Sequence, residues 1–190
     1  MSTKVQLSDI EQNPCRDDFP LLAAHPEMAF LDSAATSQRP ASVLDAQRTF
    51  YETMNANPLR GLYRLSIEAT DAIERTRAHV ARFIAAMDEG GHPQKDQIIF
   101  TRNTSESLNL VASSLGRTIL SPGDEVVISI MEHHSNLIPW QQVCAATGAR
   151  LVYLRLDDDF GISQDELKAK LGPRTKIVSL TQVSNVLGTQ

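Results

Sequence analysis

A short polar segment at residues 101–106, Thr-Arg-Asn-Thr-Ser-Glu, has the composition of an anion-binding site. It follows an apolar run and precedes a helical pattern, so it marks the end of a strand and the start of a helix. Asn103 and Glu106 have capping-box spacing. Thr104 and Ser105 place two hydroxyl groups among the free N–H groups of the first helical turn, where the helix dipole favours an anion. The segment predicts a phosphate cradle, although an ordinary polar helix cap uses the same residues.

Two adjacent histidines, His133 and His134, follow a second apolar run. A histidine at the end of a strand can stack on a planar ring, act as a base or ligate a metal ion. The pair has no second set of ligands at helical spacing, which argues against a metal site. A capping or surface role stays open for either histidine.

Two further segments place small or amide side chains at predicted strand ends. Asn185, in the segment 183–188, offers both a donor and an acceptor, so it can hold a ligand hydroxyl or simply stabilise a turn. Ala34 and Ala35, in the segment 31–36, allow a ligand to approach the backbone closely, and they equally suit a tight turn. Together, an anion cradle, an aromatic ring and a polar side chain describe a site for a flat, phosphorylated, hydroxyl-bearing ring.

Strands that alternate with helices are expected to position these segments. The alternation indicates an α/β fold with crossover connections and a mostly parallel sheet with helices on both faces. In such a sheet, ligands bind outside the carboxyl ends of the strands. The predicted strands are 29–31, 97–101, 125–130, 150–156 and 176–181, and the predicted helices are one that opens at Pro40, then 66–87, 104–115, 136–146 and 163–171.

The first half of the chain is predicted to be an arm followed by helices. Residues 1–28 form the irregular arm, because Pro14, Pro20 and Pro26 break any long helix. The helix at 66–87 is amphipathic, and one stripe is predicted to be buried. The residues of that stripe are Ala69, Ile73, Thr76, Val80, Phe83, Ile84 and Met87.

Charge, hydropathy and cysteine content argue against several classes of protein. A net charge of −5 disfavours nucleic acid or an anionic membrane as the main partner. No apolar run is long enough to span a bilayer, and the polar N-terminus does not have the pattern of a secretory signal. Cys15 and Cys144 lie far apart without CxxC spacing, which disfavours a disulfide framework or a zinc site and fits a reducing cytoplasm.

Four motifs together resemble one enzyme family. LDSAA, RNTSESLNLVA, MEHHSNLIPW and VSNVLGT, in this order and spacing, are similar to motifs of the pyridoxal-phosphate-dependent cysteine desulfurases among the class V aminotransferases. The likeness is closest to the branch that supplies sulfur for iron–sulfur cluster assembly. It implies the large domain of a fold-type I transferase. Residues 29–92 would then contribute to a small domain and an active-site loop, and residues 93–190 would form the first part of the cofactor-binding domain.

The resemblance also implies roles for the residues of the site. Thr104 and Ser105 are expected to bind the phosphate of pyridoxal 5'-phosphate, and His133 to stack on its ring. Asn185 is expected near the ring hydroxyl and the substrate carboxylate. Ala34 and Ala35 are expected where the substrate pocket begins. The implied reaction converts L-cysteine to L-alanine and leaves the sulfur as an enzyme persulfide, with a homodimer and a sulfur-acceptor protein as partners.

The residues that make and break bonds in the family are expected beyond this sequence. The Schiff-base lysine, the aspartate at the pyridine nitrogen, the substrate-clamping arginine and the sulfur-accepting cysteine come later than Gln190. Lys168, Lys170 and Lys176 fall in a predicted peripheral helix and the next strand, and Cys144 lies in an apolar helical pattern. We therefore expect an N-terminal portion with an unfinished sheet that is inactive by itself.

Two alternatives to this interpretation stay open. A selenocysteine lyase or another class V lyase shares these motifs. A non-catalytic half that binds a partner chain is a different class of function, in which the partner covers the unfinished sheet. The sequence differs from the family pattern at one position that concerns catalysis. The loop NPLRGLY at 57–63 has no histidine where many relatives carry one. We therefore expect no acid–base role for that loop.

Overall fold

A computed structural model describes residues 14–190 of the chain. The first thirteen residues of the predicted arm lie outside the described part. The chain divides into two compact units, one that extends to Ile99 and one from Phe100 to Gln190. None of the helices formed by residues 14–190 combines the length and apolar character that a bilayer-spanning segment requires.

The first unit is helical in its described part. Its helices are α1 (Pro20–Ala24), α2 (Ala41–Thr53) and α3 (Arg64–Phe83), with 3-10 turns at Arg16–Asp18 and Lys95–Gln97. The strand predicted at 29–31 is wrong, because these residues pair with no strand. Arg16 instead donates hydrogen bonds to the backbone carbonyls of His25, Pro26 and Met28, which fixes the loop before this segment.

Helix α3 ends earlier than its apolar pattern predicts. Ala85 adopts a left-handed conformation with φ of 56°. The Ala86 amide donates to the Ala81 carbonyl and the Ala85 amide to the Arg82 carbonyl, which is the Schellman arrangement that terminates a helix. Phe83, Ile84 and Met87 at the C-terminal end of the predicted stripe are exposed, and so is Thr76, so the prediction that these residues are buried is wrong. The buried residues of α3 are Ser66, Ala69 and Ala81.

The second unit alternates helices and strands. Its elements, in chain order, are α4 (Thr104–Val111), a π-helical turn (Ala112–Gly116), α5 (Arg117–Ile119), β1 (Glu125–Ser129), α6 (Ile138–Thr147), β2 (Arg150–Leu154), α7 (Gln164–Lys170) and β3 (Thr175–Ser179). The predicted helices at 136–146 and 163–171 and the last three predicted strands are confirmed, with ends that differ by a few residues.

The strand predicted at 97–101 is absent from the sheet. Lys95–Gln97 forms a 3-10 turn, and the carbonyl of Ile98 accepts a hydrogen bond from the Arg77 side chain instead of a strand amide. Ile98 is 7% exposed but Ile99 is 70% exposed, so the apolar run is only partly buried. The apolar composition indicated a strand, but the backbone acceptor is used by an arginine of α3.

The three strands form a parallel sheet in the order β2-β1-β3. The central strand β1 is the most buried, since Val126, Val127 and Ile128 are all 0% exposed. Val126 and Ile128 face one side of the sheet, where α6 packs against them with Trp140 and other apolar residues. The expected parallel α/β arrangement is confirmed.

Gly148 ends α6 with φ of 74° and lies against Pro122, so a Cβ atom there would come within 3.3 Å of the proline ring. The chain then leads directly into β2, as the sequence predicts.

Candidate functional site

The carboxyl ends of β1 and β3 lie side by side. Ile128 of β1 is in register with Ser179 of β3, so the loops that follow the two strands leave the sheet at the same edge. The first loop carries His133 and the second carries Asn185. This edge is where parallel sheets bind ligands.

Helix α4 begins with the predicted cap. The Asn103 side chain accepts a hydrogen bond of 2.9 Å from the Glu106 amide. The Glu106 carboxylate reaches back to the Arg102 amide at 2.6 Å, one residue before the position that a standard capping box uses. The amides of Thr104 and Ser105 belong to the first turn and have no acceptor within the helix. Both residues are exposed, so an anion can reach two amides and two hydroxyls, and the Ser105 hydroxyl also contacts Ser135.

Ser135 joins the start of α4 to the histidine loop. Its Oγ lies 2.5 Å from Ser105 Oγ and 2.9 Å from His133 Nδ1. The structure therefore brings together two of the residues that the sequence assigned to the phosphate and to the ring. Sequence reasoning missed Ser135, and its only signal was its position two residues after His133.

His133 is held by the backbone of Ser135. The backbone N–H of Ser135 donates to His133 Nδ1 at 3.1 Å, and a backbone amide can only donate. His133 Nδ1 is therefore a hydrogen-bond acceptor in this arrangement. The His134 ring meets it edge-on at a centroid distance of 6.2 Å, so the two rings do not stack on each other. His133 is exposed and leaves a ring face open.

The turn at 183–189 depends on Ser184 and leaves Asn185 available. Ser184 is 3% exposed, and its Oγ accepts hydrogen bonds from the amides of Val186 and Leu187. Gly188, with φ of 71°, completes the turn. The exposed side chain of Asn185 makes no hydrogen bond within residues 14–190, so the turn does not need it.

Ala34 and Ala35 lie in the first unit, in a turn closed by the Asp32 carbonyl. That carbonyl accepts the amides of Ala35 and Thr36, both at 3.1 Å. The two alanines are exposed. A cavity of about 380 Å³ in this unit is bordered by Leu31 and Ser33 of the same segment.

The thiol and amines of the second unit lie away from the strand carboxyl ends. Cys144 is 5% exposed within the core, and burial raises the pKa of its thiol. Lys168 and Lys170 lie on α7, and Lys176 lies near the start of β3. Within residues 14–190 no group of three histidine, cysteine, aspartate or glutamate side chains is arranged to hold a metal ion.

Curated relatives share most of this chain. A cysteine desulfurase of Dickeya dadantii (strain 3937) is 46% identical over 177 residues, which cover 92% of this chain and 42% of that protein. A probable cysteine desulfurase of Synechocystis sp. is 45% identical over 177 residues, which cover 91% of this chain and 40% of that protein. The chain therefore spans about two fifths of the length of these relatives.

Solved structures and a family model agree with these relatives. The apo cysteine desulfurase from Thermococcus onnurineus NA1 has a TM-score of 0.80 at 36% identity, covering 99% of this chain and 43% of that chain. The Escherichia coli cysteine desulfurase in its S-sulfonic acid form has a TM-score of 0.75 at 35% identity, covering 98% and 43%. The model described as aminotransferase class-V matches residues 29–190. The chain therefore belongs to the aminotransferase class-V family, and the relatives and solved structures described above are cysteine desulfurases.

Proposed function

We propose that this chain forms the phosphate- and ring-binding part of a pyridoxal 5'-phosphate site in a cysteine desulfurase. The cofactor is the one that this family and its cysteine desulfurases use. The single observation that carries the proposal is the Ser105–Ser135–His133 chain of contacts, since it joins an anion-binding helix start to an open aromatic ring face.

The donor set at the strand ends fits the cofactor. A phosphate dianion needs several donors near a positive partial charge, and Thr104 and Ser105 offer two amides and two hydroxyls at the start of α4. A pyridine ring needs a planar partner, which the exposed imidazole ring of His133 provides. A ring hydroxyl needs a polar partner, and the amide of Asn185 has both a donor and an acceptor available.

The reaction we propose for the enzyme is the conversion of L-cysteine to L-alanine. The C–S bond of cysteine breaks, and the sulfur forms a persulfide with an enzyme cysteine. When bound, pyridoxal phosphate supplies an electron sink for this chemistry. The residues of this chain bind and orient the cofactor and the substrate. Thr104 and Ser105 hold the cofactor phosphate, and His133 covers the cofactor ring. Asn185, with Ala34 and Ala35, contacts the substrate.

We also propose that residues 1–190 alone do not transfer sulfur. Lys168, Lys170 and Lys176 lie on α7 and near the start of β3, so none is at the strand ends where the cofactor would bind. Cys144 is a core thiol. An assay of the purified chain with cofactor and L-cysteine is expected to release alanine and sulfide only at the rate of free cofactor. Faster turnover would contradict this part of the proposal.

The cellular context we propose follows the family resemblance. The enzyme would act in the cytoplasm as a homodimer and pass its sulfur to an acceptor protein for iron–sulfur cluster assembly. The wide spacing of Cys15 and Cys144 supports a reducing compartment.

Binding of pyridoxamine 5'-phosphate tests the proposed site without interference from surface lysines. This compound keeps the phosphate and ring but has no aldehyde to condense with amines. Quenching of Trp140, the only tryptophan of the chain, reports binding. We expect saturable binding, and pyridoxamine without the phosphate should bind at least about tenfold more weakly because it loses charge-assisted hydrogen bonds. Equal affinity for the two compounds, or binding of neither, would contradict the proposed site.

A further inference from the structure

We propose that Glu132 is a positioning residue whose carboxylate ties the loop that carries His133 to the loop that carries Asn185. We refer to the hydrogen bonds of the Glu132 carboxylate as the tie, and they are formed by residues of this chain alone. Its use, the alignment of two ring-binding residues, rests on the proposed function. Nothing in the sequence pattern singles out Glu132, which is the residue just before His133.

The carboxylate of Glu132 accepts three hydrogen bonds from three different elements. Its Oε1 accepts from Ser129 Oγ at 2.6 Å and from the Thr181 amide at 3.0 Å. Its Oε2 accepts from Asn136 Nδ2 at 2.7 Å. Ser129 ends β1, Thr181 follows β3, and Asn136 precedes α6. One side chain therefore connects both strand ends and the helix that covers them.

Trp140 determines how the side-chain amide of Asn136 is oriented. An indole N–H can only donate, and it donates to Asn136 Oδ1 at 2.8 Å inside the core. The same oxygen accepts from Ser179 Oγ at 2.6 Å. Asn136 must therefore turn its NH2 group towards Glu132. Because Asn136 is 8% exposed, its amide cannot be reversed without losing the tryptophan bond inside the core.

Only a group with acceptors on both of its outer atoms satisfies these donors. The Thr181 amide and Asn136 Nδ2 both point hydrogens at Glu132, one at each oxygen. A glutamine of the same size has one oxygen and one NH2 group, so it must set its NH2 group against a fixed N–H. The site therefore requires a carboxylate for its acceptor pattern and not only for its shape.

The tie extends from Thr181 and Glu132 to the two ring-binding residues. Thr181 Oγ1 donates to the Val183 carbonyl at 2.9 Å, which begins the turn that presents Asn185. On the other side, His133 is the next residue after Glu132 and is itself held by Ser135. The relative position of the His133 loop and the Asn185 loop is therefore set through the Glu132–Thr181 bond.

Three variants test whether the tie needs two hydrogen-bond acceptors at position 132. Glu132→Gln replaces one of the two acceptor oxygens with an NH2 group, which then faces another hydrogen-bond donor. Asn136→Asp combined with Glu132→Gln lets the new amide donate to the new carboxylate while its oxygen still faces Thr181. The double variant also loses the bond of 3.2 Å from Asn136 Nδ2 to the Ser179 carbonyl, because a carboxylate oxygen cannot donate. Glu166→Gln is the matched control, since Glu166 accepts only one backbone amide, that of Arg155, and a glutamine oxygen can replace it.

Two readouts separate the tie from the proposed function. The first is hydrogen exchange of the Thr181 amide in the chain without ligand. The second is affinity for pyridoxamine 5'-phosphate, together with the circular dichroism of the bound chromophore. The exchange readout decides the inference even if the wild-type chain binds no ligand, a result that would overturn the proposed function alone.

We expect the Thr181 amide of the wild-type chain to exchange as slowly as the amides of β1, although it pairs with no strand. Glu132→Gln should speed its exchange and weaken ligand binding, each by about tenfold, because the Thr181 amide then meets either an NH2 group or an uncharged acceptor. It should also reduce the ligand's dichroism. The double variant should recover only part of the exchange protection and of the affinity, since it lacks the Asn136 bond to the Ser179 carbonyl, and Glu166→Gln should change neither.

Rapid exchange of Thr181 in the wild-type chain would overturn the inference, and so would a Glu132→Gln variant within twofold of wild type. If Glu132→Gln fails to fold, the exchange rate of the Thr181 amide in the wild-type chain still decides between these outcomes.

Discussion

Ser105 and Ser135 lie 30 positions apart in the sequence, and their side-chain oxygens are 2.5 Å apart in the structure. The contact joins the first turn of α4 to the loop after β1. Because Ser135 also contacts His133, it is the common neighbour of the proposed phosphate and ring residues.

Replacement of Ser135 by alanine is expected to weaken cofactor binding. The change removes the hydroxyl that links Ser105 to His133, and one neutral hydrogen bond corresponds to about a two- to tenfold loss of affinity. Titration with pyridoxamine 5'-phosphate measures the loss. Ser113→Ala is the control, since within residues 14–190 the Ser113 hydroxyl donates only to the Leu110 carbonyl, in the preceding turn of the chain. Equal losses in the two variants would contradict the role of Ser135.

Trp140→Phe is expected to lower the free energy of unfolding by about 2 kcal/mol. The variant loses the buried N–H bond to Asn136 and some core volume. Chemical denaturation followed by circular dichroism measures the change. Tyr153→Phe is a suitable comparison, because the Tyr153 hydroxyl is at the surface and its one hydrogen bond is 3.4 Å long. A Trp140→Phe variant as stable as Tyr153→Phe would show that the network contributes little.

The elements that the sequence predicted correctly are those with strong local signals. Strand β1 is an uninterrupted apolar run, Gly148 ends α6, and Asn103 and Ser163 cap the helices that follow them. Local chemistry determines such features, so a single sequence reveals them.

The wrong and missing predictions concern contacts between distant residues. The run at 97–101 has strand composition, but an arginine of α3 binds the carbonyl of Ile98. The role of Glu132 depends on Thr181, which is 49 positions away. Periodicity and capping rules carry no information on such pairs, so the network at the strand ends became visible only in the structure.

The Glu74–Lys95 ion pair should make the stability of the first unit depend on pH. A hydrogen bond of 2.7 Å from Lys95 lowers the pKa of Glu74, and the same bond raises the pKa of Lys95. The contribution of Glu74 is present above its unfolded pKa and is lost as the pH falls through the folded value. The contribution of Lys95 is present below its unfolded pKa and is lost as the pH rises through the folded value.

The Lys95→Met variant measures this dependence. Its melting temperature should fall furthest below that of the wild type near neutral pH, and the two should converge in acid and in strong alkali. Added salt should also reduce the difference, because both side chains are solvent-accessible. A difference that is the same at all pH values would mean that the aliphatic part of Lys95, and not its charge, is responsible.

Cys144 should be inert to thiol reagents until the second unit unfolds. The thiolate is the form that reacts with such reagents. Cys144 is buried, and this burial raises the pKa of its thiol, which disfavours the thiolate. In a Cys15→Ser variant, Ellman's reagent should detect no thiol under native conditions and one thiol in denaturant. Labelling of the native variant at the rate of free cysteine would place Cys144 at the surface.

Nuclear magnetic resonance of the isotope-labelled chain during titration with pyridoxamine 5'-phosphate identifies the residues that bind the ligand. We expect saturable shifts of the Thr104 and Ser105 amides, the His133 ring and the side-chain amide of Asn185, with one common dissociation constant. Pyridoxamine without the phosphate should not shift the two α4 amides. Saturable shifts confined to other residues, or no saturable shifts at all, would contradict the proposed site.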